Sequence, residues 1–226
     1  MTSEEILDSL RELGAVLGDD HIVYTSGRHG SAYVNKDAVY PHTFTLAELC
    51  REMARRWADD QIEVVVAPAV GGVILSTWVA HALSVLTGKQ VLSVYAEKET
   101  VGILDPEGLG RTCFAETGHF VLKRGYDKLV AGKRVLVVED VLTTGGSVRK
   151  VVDAVRNCGG NVVGVMALCN RGNVTVDDVG GVPRLDELVD LTLESWAEEE
   201  CPLCRDNIPI NTTVGKGAEF LARRTS

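Results

Sequence analysis

The pattern of apolar and polar positions predicts two amphipathic helices near the start of the chain. Within Glu4–Leu17, the apolar side chains Ile6, Leu10, Leu13 and Leu17 recur three or four residues apart, which places them on one face of a helix. A second stripe lies between about Thr43 and Asp59. Its members are Leu46, Leu49, Cys50, Met53 and Trp57. Both helices are expected to pack their apolar faces on the body of the protein.

Strands and helices alternate after these two helices. The predicted strands are Val64–Ala67, Val91–Tyr95, Arg134–Glu139 and Val162–Leu168, and the predicted helices include Val73–Leu86 and Ser147–Asn157. This alternation is typical of a doubly wound, mostly parallel α/β sheet flanked by helices. The strand run Val135–Val138 is apolar at every position, as expected of a strand that is covered on both faces. Such sheets bind ligands beyond the carboxyl ends of their strands.

The segment from Val64 to Gly88 contains no Asp, Glu, Lys or Arg, and its length approaches that of a membrane span. Pro68, Gly71 and Gly72 interrupt it. We therefore interpret it as a buried strand, a tight loop and a core helix, and expect no membrane association.

Two regions show no regular pattern. Residues 96–133 are too long for a simple connection, so we predict a long mobile loop with a functional role. A short helix is predicted at Ser195–Glu200, and residues 201–226 after it are predicted to form a C-terminal tail. Residues 1–200 then form one domain, in which residues 1–42 supply a hood.

Composition narrows the class of protein. The chain is 45% hydrophobic and 24% charged, which is typical of a folded globular protein. Its net charge of −9 disfavours nucleic acid as a partner, because that binding depends on clustered basic residues. The start MTSEE is not a secretory signal, and six cysteines are spread over 226 residues. A reduced, cytoplasmic protein is expected.

The stretch Val135–Ser147 reads VLVVEDVLTTGGS. Its strand delivers Glu139 and Asp140 to the carboxyl edge of the sheet, where carboxylates can accept hydrogen bonds from vicinal hydroxyls and lie near a metal. Thr143–Ser147 open the next helix, and glycines there let backbone amides approach an anion. A ribose 5-phosphate fits this layout. An ordinary strand followed by a capped helix would also explain these residues.

This stretch resembles the signature that type I phosphoribosyltransferases use to bind 5-phosphoribosyl 1-pyrophosphate (PRPP), at all thirteen positions. The resemblance implies a type I phosphoribosyltransferase fold with a small hood built from both termini. It also implies Mg²⁺ held through the substrate, with Asp140 as a candidate ligand, and a homodimer. Glu139 and Asp140 would hold the ribose hydroxyls. The implied PRPP-binding residues are Val138, Glu139, Asp140, Val141, Leu142, Thr143, Thr144, Gly145, Gly146 and Ser147.

The segment Thr25–Asp37 resembles the N-terminal substrate segment of orotate phosphoribosyltransferases, and the likeness extends over about the first 170 residues. It implies that Tyr33 stacks on the base. The other implied base contacts are Arg28, Lys36, Thr143 and Arg171. Many family members carry a lysine where this chain has Thr25, and Lys36 is the candidate replacement.

Two further segments resemble parts of the family that bind pyrophosphate. Ala69, Val70, Gly71 and Gly72 correspond to its pyrophosphate loop, in which a lysine often stands at the position of Gly71. The basic residues of the family's mobile loop match only in part. We hypothesise that Lys98, Lys123 and Arg124 supply the catalytic positive charge here.

The resemblance implies an enzyme that transfers ribose 5-phosphate from PRPP to a nucleobase, with orotate the first candidate. A purine or another pyrimidine is the alternative base. A regulator of the same fold that binds without turnover is the alternative class, and Thr25, Gly71 and Glu97, which replace basic residues of the family, favour it.

The pair Cys201 and Cys204 resembles half of a zinc knuckle. A structural zinc site generally needs four ligands, and no second C-x-x-C follows. Zinc is therefore not expected at this pair unless Cys113, His119 or a partner chain completes the set.

Overall fold

The computed structural model describes residues 1–24, 26–104, 112–191 and 193–224. The helices are α1 (Ser3–Glu12), α2 (Thr43–Arg55), α3 (Gly72–Thr87), α4 (Tyr126–Val130), α5 (Gly146–Asn157), α6 (Pro202–Arg205) and α7 (Gly217–Arg224). The strands are β1 (Val16–Leu17), β2 (Ile22–Val23), β3 (His29–Gly30), β4 (Tyr33–Val34), β5 (Val64–Pro68), β6 (Leu92–Leu104), β7 (Thr112–Val121), β8 (Arg134–Leu142), β9 (Asn161–Asn170), β10 (Leu185–Asp190) and β11 (Ser195–Trp196).

A six-stranded sheet forms the centre of the molecule, in the order β10-β9-β8-β5-β6-β7. All neighbours are parallel except β7, which runs antiparallel to β6. Helices pack against the sheet, because parallel strands need crossover connections. The predicted doubly wound, mostly parallel α/β fold is confirmed.

Consecutive residues of the central strands point into two separate cores. Val65 and Ala67 of β5 pack in the core that includes α1, α2 and α3. Val64 and Val66 pack in the opposite core, with α5. Both faces are covered, so every position is apolar.

The uncharged segment forms β5 and α3, as predicted. None of the helices in the described ranges is long and apolar enough to cross a membrane.

Both ends of the chain build a small hood, comprising residues 16–34 and 195–224. In it β1 pairs with β4, and β3 lies between β2 and β11. Residues after 201 extend this cover, since Asn211 and Lys216 donate backbone hydrogen bonds to the carbonyls of His21 and Val23 at 2.8 and 2.7 Å. The C-terminal segment is therefore bound to the N-terminal strands.

Three predicted helices differ from the structure by more than one residue. Helix α1 ends at Glu12, because Gly14 has a φ of +66° and Val16–Leu17 pairs with β4. Helix α2 ends at Arg55 and a separate 3₁₀ turn follows. The predicted helix Ser195–Glu200 is wrong, since Ser195–Trp196 pairs with β3 and only Glu198–Glu200 forms a 3₁₀ turn.

The predicted loop at residues 96–133 is mostly regular structure. Strands β6 and β7 form a long antiparallel hairpin, and α4 follows. Residues 105–111 lie outside the described residues. The hairpin escaped prediction because its strands carry charged and polar side chains where a buried strand would be apolar.

Candidate active site

A cleft with a volume of about 410 Å³ opens at the carboxyl ends of the central strands. Many of the residues singled out in the sequence line it. They are Tyr33, Lys36, Ala69, Val70, Gly71, Gly72, Lys98, Glu139, Asp140, Val141, Thr143, Ser147 and Arg171. Their meeting follows from the topology, because parallel strands present their carboxyl ends at one edge of the sheet.

The acid pair lies at the end of β8, on the floor of the cleft. Glu139 and Asp140 are only 8% and 4% exposed. Asp140 Oδ1 accepts a hydrogen bond from the Val141 amide at 2.7 Å, and Asp140 Oδ2 lies 2.8 Å from Lys36 Nζ. Among the described residues, none forms an ion pair with Glu139, and its Oε1 accepts from the Asp140 amide at 3.1 Å.

The two acids differ in their electrostatic surroundings. Burial, together with the neighbouring Asp140, raises the pKa of Glu139 to about 8. Burial acts to lower the pKa of Lys36, but its hydrogen bond and charge interaction with Asp140 outweigh this effect and raise the pKa. Lys36 therefore keeps its positive charge at neutral pH, whereas Glu139 holds its proton more tightly than an ordinary glutamate.

Lys36 lies beside the pyrophosphate loop. A Cβ atom added to Gly71 would be 2.5 Å from Lys36 Nζ and 2.9 Å from Asp140 Oδ2. The ammonium group thus occupies the space into which a side chain at position 71 would project. Lys36 was suggested to replace the lysine that many family members carry at the position of Thr25, and Thr25 lies outside the described residues.

Tyr40 is a site residue that sequence reasoning missed. Its hydroxyl lies 2.7 Å from the Gly71 carbonyl oxygen and 3.1 Å from Asp140 Oδ2. Burial and the charge of Asp140 raise its pKa, so the phenol remains neutral. Nothing in the local sequence pattern marked this residue.

The turn between β8 and α5 has the geometry of an anion site. Gly145 adopts a φ of +73° and has no side chain to cap the first turn of α5, so amides there remain available to an anion. A smaller cleft of about 120 Å³ lies over this turn. Its lining includes Glu139, Leu142, Thr143, Thr144, Gly145, Gly146 and Ser147. Val138 was also predicted to bind PRPP, but it is not among the lining residues. Its side chain is fully buried in the core.

The pyrophosphate loop connects β5 with α3. The Ala69 amide donates to the Ala96 carbonyl at 2.8 Å, the Ala69–Val70 peptide bond is cis, and the Val70 side chain is 86% exposed. Gly72 packs closely, since an added Cβ would lie 2.6 Å from Ala67 Cβ. This close approach explains the glycine at position 72.

Arg171 and two tyrosines line the outer part of the site. Arg171 Nε donates to Thr143 Oγ1 at 3.1 Å, and its guanidinium carbon lies 5.4 Å from the ring centroid of Tyr24. Tyr33 lines the same cleft as Arg171, and Tyr24 lines a neighbouring cleft that shares Thr143 and Arg171. Tyr24 was not identified from the sequence.

The basic residues of the hairpin and the hood are not all brought to the cleft. Lys98 lines it, with its Nζ 3.0 Å from Glu116 Oε2. Arg124 pairs with Glu97 at 2.9 Å, and neither Arg124 nor Lys123 is among the lining residues. Arg28 is not among the lining residues of this cleft. Its Nε donates to Ser195 Oγ at 3.0 Å, and Ser195 lines the neighbouring cleft that shares Thr143 and Arg171.

Comparison with known proteins agrees with this geometry. The family model of the phosphoribosyl transferase domain matches residues 42–203. The chain is 41% identical, over 92% of its length and 95% of the relative, to the orotate phosphoribosyltransferase of Pelotomaculum thermopropionicum. The crystal structure of Mycobacterium tuberculosis orotate phosphoribosyltransferase with Fe(III) dicitrate superposes with a TM-score of 0.61 at 26% identity, covering 84% of this chain and 96% of that one. The structure of the same enzyme with PRPP gives a TM-score of 0.57 at 25% identity, with 84% and 96% coverage. The chain therefore belongs to the phosphoribosyltransferase family, among the orotate phosphoribosyltransferases.

Proposed function

We propose that this protein transfers ribose 5-phosphate from PRPP to orotate, giving orotidine 5'-phosphate and pyrophosphate. The observation that carries the proposal concerns two clefts that share Glu139, Thr143 and Ser147, with the glycines of the turn in the smaller one. Together the clefts bring three groups near one another: the acid pair, the glycine-rich turn and Arg171. These groups match the ribose hydroxyls, the 5-phosphate and an anionic base, respectively.

The sugar phosphate would be held by hydrogen bonds and not by covalent chemistry. Thr143–Ser147 would donate amide and hydroxyl hydrogens to the 5-phosphate, aided by the dipole of α5. Asp140, which is paired with Lys36, would accept a hydrogen bond from one ribose hydroxyl. Glu139 would bind the other, and loses its proton more readily if the complex brings positive charge near it.

Negative charge develops on the leaving group, pyrophosphate, during the reaction. As the bond from ribose C1 to the pyrophosphate oxygen breaks, the base nitrogen forms a bond to C1 from the opposite face, and the electron pair departs with pyrophosphate. Lys36, Lys98 and the amides of the Gly71–Gly72 segment line the cleft and would stabilise that charge. Preorganised donors of this kind lower the barrier without a protein nucleophile.

The donor set fits a magnesium ion bound mainly through the substrate. Two adjacent carboxylates provide the hard oxygen ligands that this cation prefers, but Asp140 Oδ2 is already paired with Lys36 at 2.8 Å. When bound to the pyrophosphate group, Mg²⁺ would supply further positive charge to the leaving group.

Orotate is the favoured base because of Arg171. A planar guanidinium suits a carboxylate or adjacent carbonyl oxygens, and Tyr33 offers an aromatic face in the same cleft. Selectivity would then depend on the negative charge of the base, which uracil and the purines lack at neutral pH.

The experiment that tests this function follows pyrophosphate release from PRPP with a panel of bases, with Mg²⁺ present or omitted. Turnover with orotate that requires Mg²⁺ is expected, and uracil, adenine and hypoxanthine should give little. Turnover with another base would assign a different substrate. PRPP binding by calorimetry without turnover would favour a regulator and contradict the proposal.

We further propose that the protein is a homodimer. Ile74, Trp78, His81 and Val85 lie at helical spacing along α3, and Ile74 and Val85 are 46% and 68% exposed. Exposed apolar side chains such as Ile74 and Val85 on one face of a helix are typical of an interaction surface.

The five cysteines whose side chains are described are all free thiols. We propose that the protein works in the reducing environment of the cytoplasm, in which such thiols stay reduced.

A further inference from the structure

Four metal-binding side chains meet inside the hood, away from the cleft. The ring nitrogens of His21 and His29 and the sulfurs of Cys201 and Cys204 all lie within 4.8 Å of one another. His21 and His29 stand beside β2 and at β3, whereas the cysteines flank the start of α6. The fold therefore completes the half-motif that the sequence showed in Cys201 and Cys204.

The distances between the four donor atoms match a tetrahedral zinc site. Bonds of about 2.3 Å to sulfur and about 2.05 Å to nitrogen place sulfur and nitrogen about 3.6 Å apart and two nitrogens about 3.3 Å apart. Cys201 Sγ and Cys204 Sγ lie 3.7 and 3.6 Å from His21 Nε2. Cys204 Sγ is 3.3 Å from His29 Nδ1, and the two ring nitrogens are 2.9 Å apart.

Surrounding groups orient the imidazoles toward this point. His21 Nδ1 lies 2.7 Å from the Ile208 carbonyl oxygen, so it must carry the proton, and the lone pair of Nε2 faces the cluster. A carbonyl partner of this kind is the usual support of a metal-bound histidine.

The cluster is almost completely buried, which also favours a bound metal ion. His21, His29 and Cys201 are 1%, 0% and 2% exposed. Within the described residues, His29 Nε2 has no hydrogen-bond partner, so the polar contacts of this ring are made through Nδ1 at the cluster. Burying so many polar groups is costly, and a bound cation would offset that cost.

We propose that His21, His29, Cys201 and Cys204 bind one zinc ion with a structural role. Two thiolates and two imidazoles form a complete ligand set for zinc and leave no position for a substrate. Cys113 and His119, considered earlier as additional ligands, are not needed. The side chain of Cys113 lies outside the described residues, and His119 lies on β7.

The zinc ion would connect the two ends of the chain. Its histidines flank the turn that holds Tyr24 and Ser26, which line the cleft next to Arg171. Its cysteines belong to the C-terminal segment. Binding should therefore stabilise the hood and hold this turn in place, because metal-binding energy becomes folding energy.

The test begins with the metal content of the full-length protein, purified without chelator or polyhistidine tag. Mass spectrometry of the metals should find about one zinc per chain. Cys204→Ser and His29→Ala should lose most of it, and Cys158→Ser, which removes a thiol outside the cluster, should retain it. Circular dichroism would verify that each variant is folded.

A second measurement does not depend on variants. Zinc-depleted wild-type protein should bind Co²⁺ with the visible bands of a tetrahedral ion and a thiolate charge-transfer band, and zinc should displace it. Depletion should also lower the melting temperature, and zinc should restore it.

Three results would overturn the proposal. They are wild-type protein that neither contains zinc nor gives the Co²⁺ bands, a Cys204→Ser variant that retains full zinc, and a disulfide between Cys201 and Cys204, detected as a loss of two hydrogen masses. None of these readouts depends on turnover, so failure of the zinc proposal is distinguishable from failure of the proposed enzyme function.

Discussion

The cleft contains two adjacent acids with different partners. Asp140 is paired with Lys36 and contacted by Tyr40, whereas burial and Asp140 raise the pKa of Glu139. The same Lys36 fills the space beside Gly71. One lysine thus pairs with Asp140 and places a positive charge near the pyrophosphate loop.

Replacing Lys36 with Met should lower kcat/KM for PRPP roughly 10- to 100-fold, because a charge near the leaving group is lost while the apolar stem remains. Steady-state kinetics with orotate would measure it. Lys133→Met is the matched control, since Lys133 pairs with the exposed Glu63 outside the cleft. Unchanged kcat/KM in Lys36→Met would refute a role for this charge.

Glu139 should make the free energy of unfolding depend on pH. Its pKa is about 8 in the folded protein and near 4.3 in an unfolded chain. The folded state therefore holds this proton more tightly. The resulting stability is fully present below about pH 4 and is lost as the pH rises through about 8.

The variant Glu139→Gln removes this ionisation. Its melting temperature relative to the wild type should rise as the pH increases from 5 to 9, reaching a gain of a few degrees. Thermal unfolding across this range would measure the effect. A difference that stays constant with pH would show that Glu139 does not titrate in this way.

At the scale of elements, the turn into α5 depends on backbone conformation. Gly145 and Gly159 lie at opposite ends of α5 and have similar φ values of +73° and +78°. Only Gly145 is crowded: an added Cβ would lie 3.0 Å from Val174 Cγ1, 3.1 Å from Val179 Cγ1 and 3.3 Å from the Asp178 carbonyl carbon. Around Gly159 nothing lies within 4 Å.

These two glycines make a matched pair for mutation. Gly159→Ala should cost about 1 kcal/mol, the strain of a left-handed residue. Gly145→Ala should cost about 1–2 kcal/mol more, because the methyl group also overpacks the core. Urea unfolding would measure both changes, and equal losses would contradict the steric argument.

The long hairpin shows where prediction of elements failed. On its surface Lys98 pairs with Glu116 across the two strands, and Glu97 pairs with Arg124. Polar side chains thus replace the apolar pattern by which strands are recognised. Four of the five parallel strands were predicted, because a strand that is buried on both faces is apolar throughout. The fifth, β10, was missed, since only two of its six residues are buried. Their helices were predicted well except at the ends, where turns and strand pairing intervene.

For the whole molecule, the exposed apolar side chains Ile74 and Val85 on α3 bear on assembly. Val85→Glu should shift the protein from dimer to monomer mass, because a charge would be desolvated at the interface. Light scattering after size-exclusion chromatography would measure it. Leu129→Glu, at a residue on α4 that is 43% exposed, is the control. A monomeric wild type, or an unchanged mass in Val85→Glu, would contradict the proposal.

The sequence by itself determined the alternating α/β architecture, the acid pair at a strand end and the glycine turn that opens a helix. These features are local, because burial on both faces, helical spacing and turn chemistry act between residues close in the chain. The tertiary structure alone decided that Lys36 meets Asp140, 104 positions away, that Lys123 and Arg124 stay outside the cleft, and that His29 meets Cys204, 175 positions away. Contacts at such separations depend on how the sheet and the hood bring distant segments together, and no local period of the chain records them.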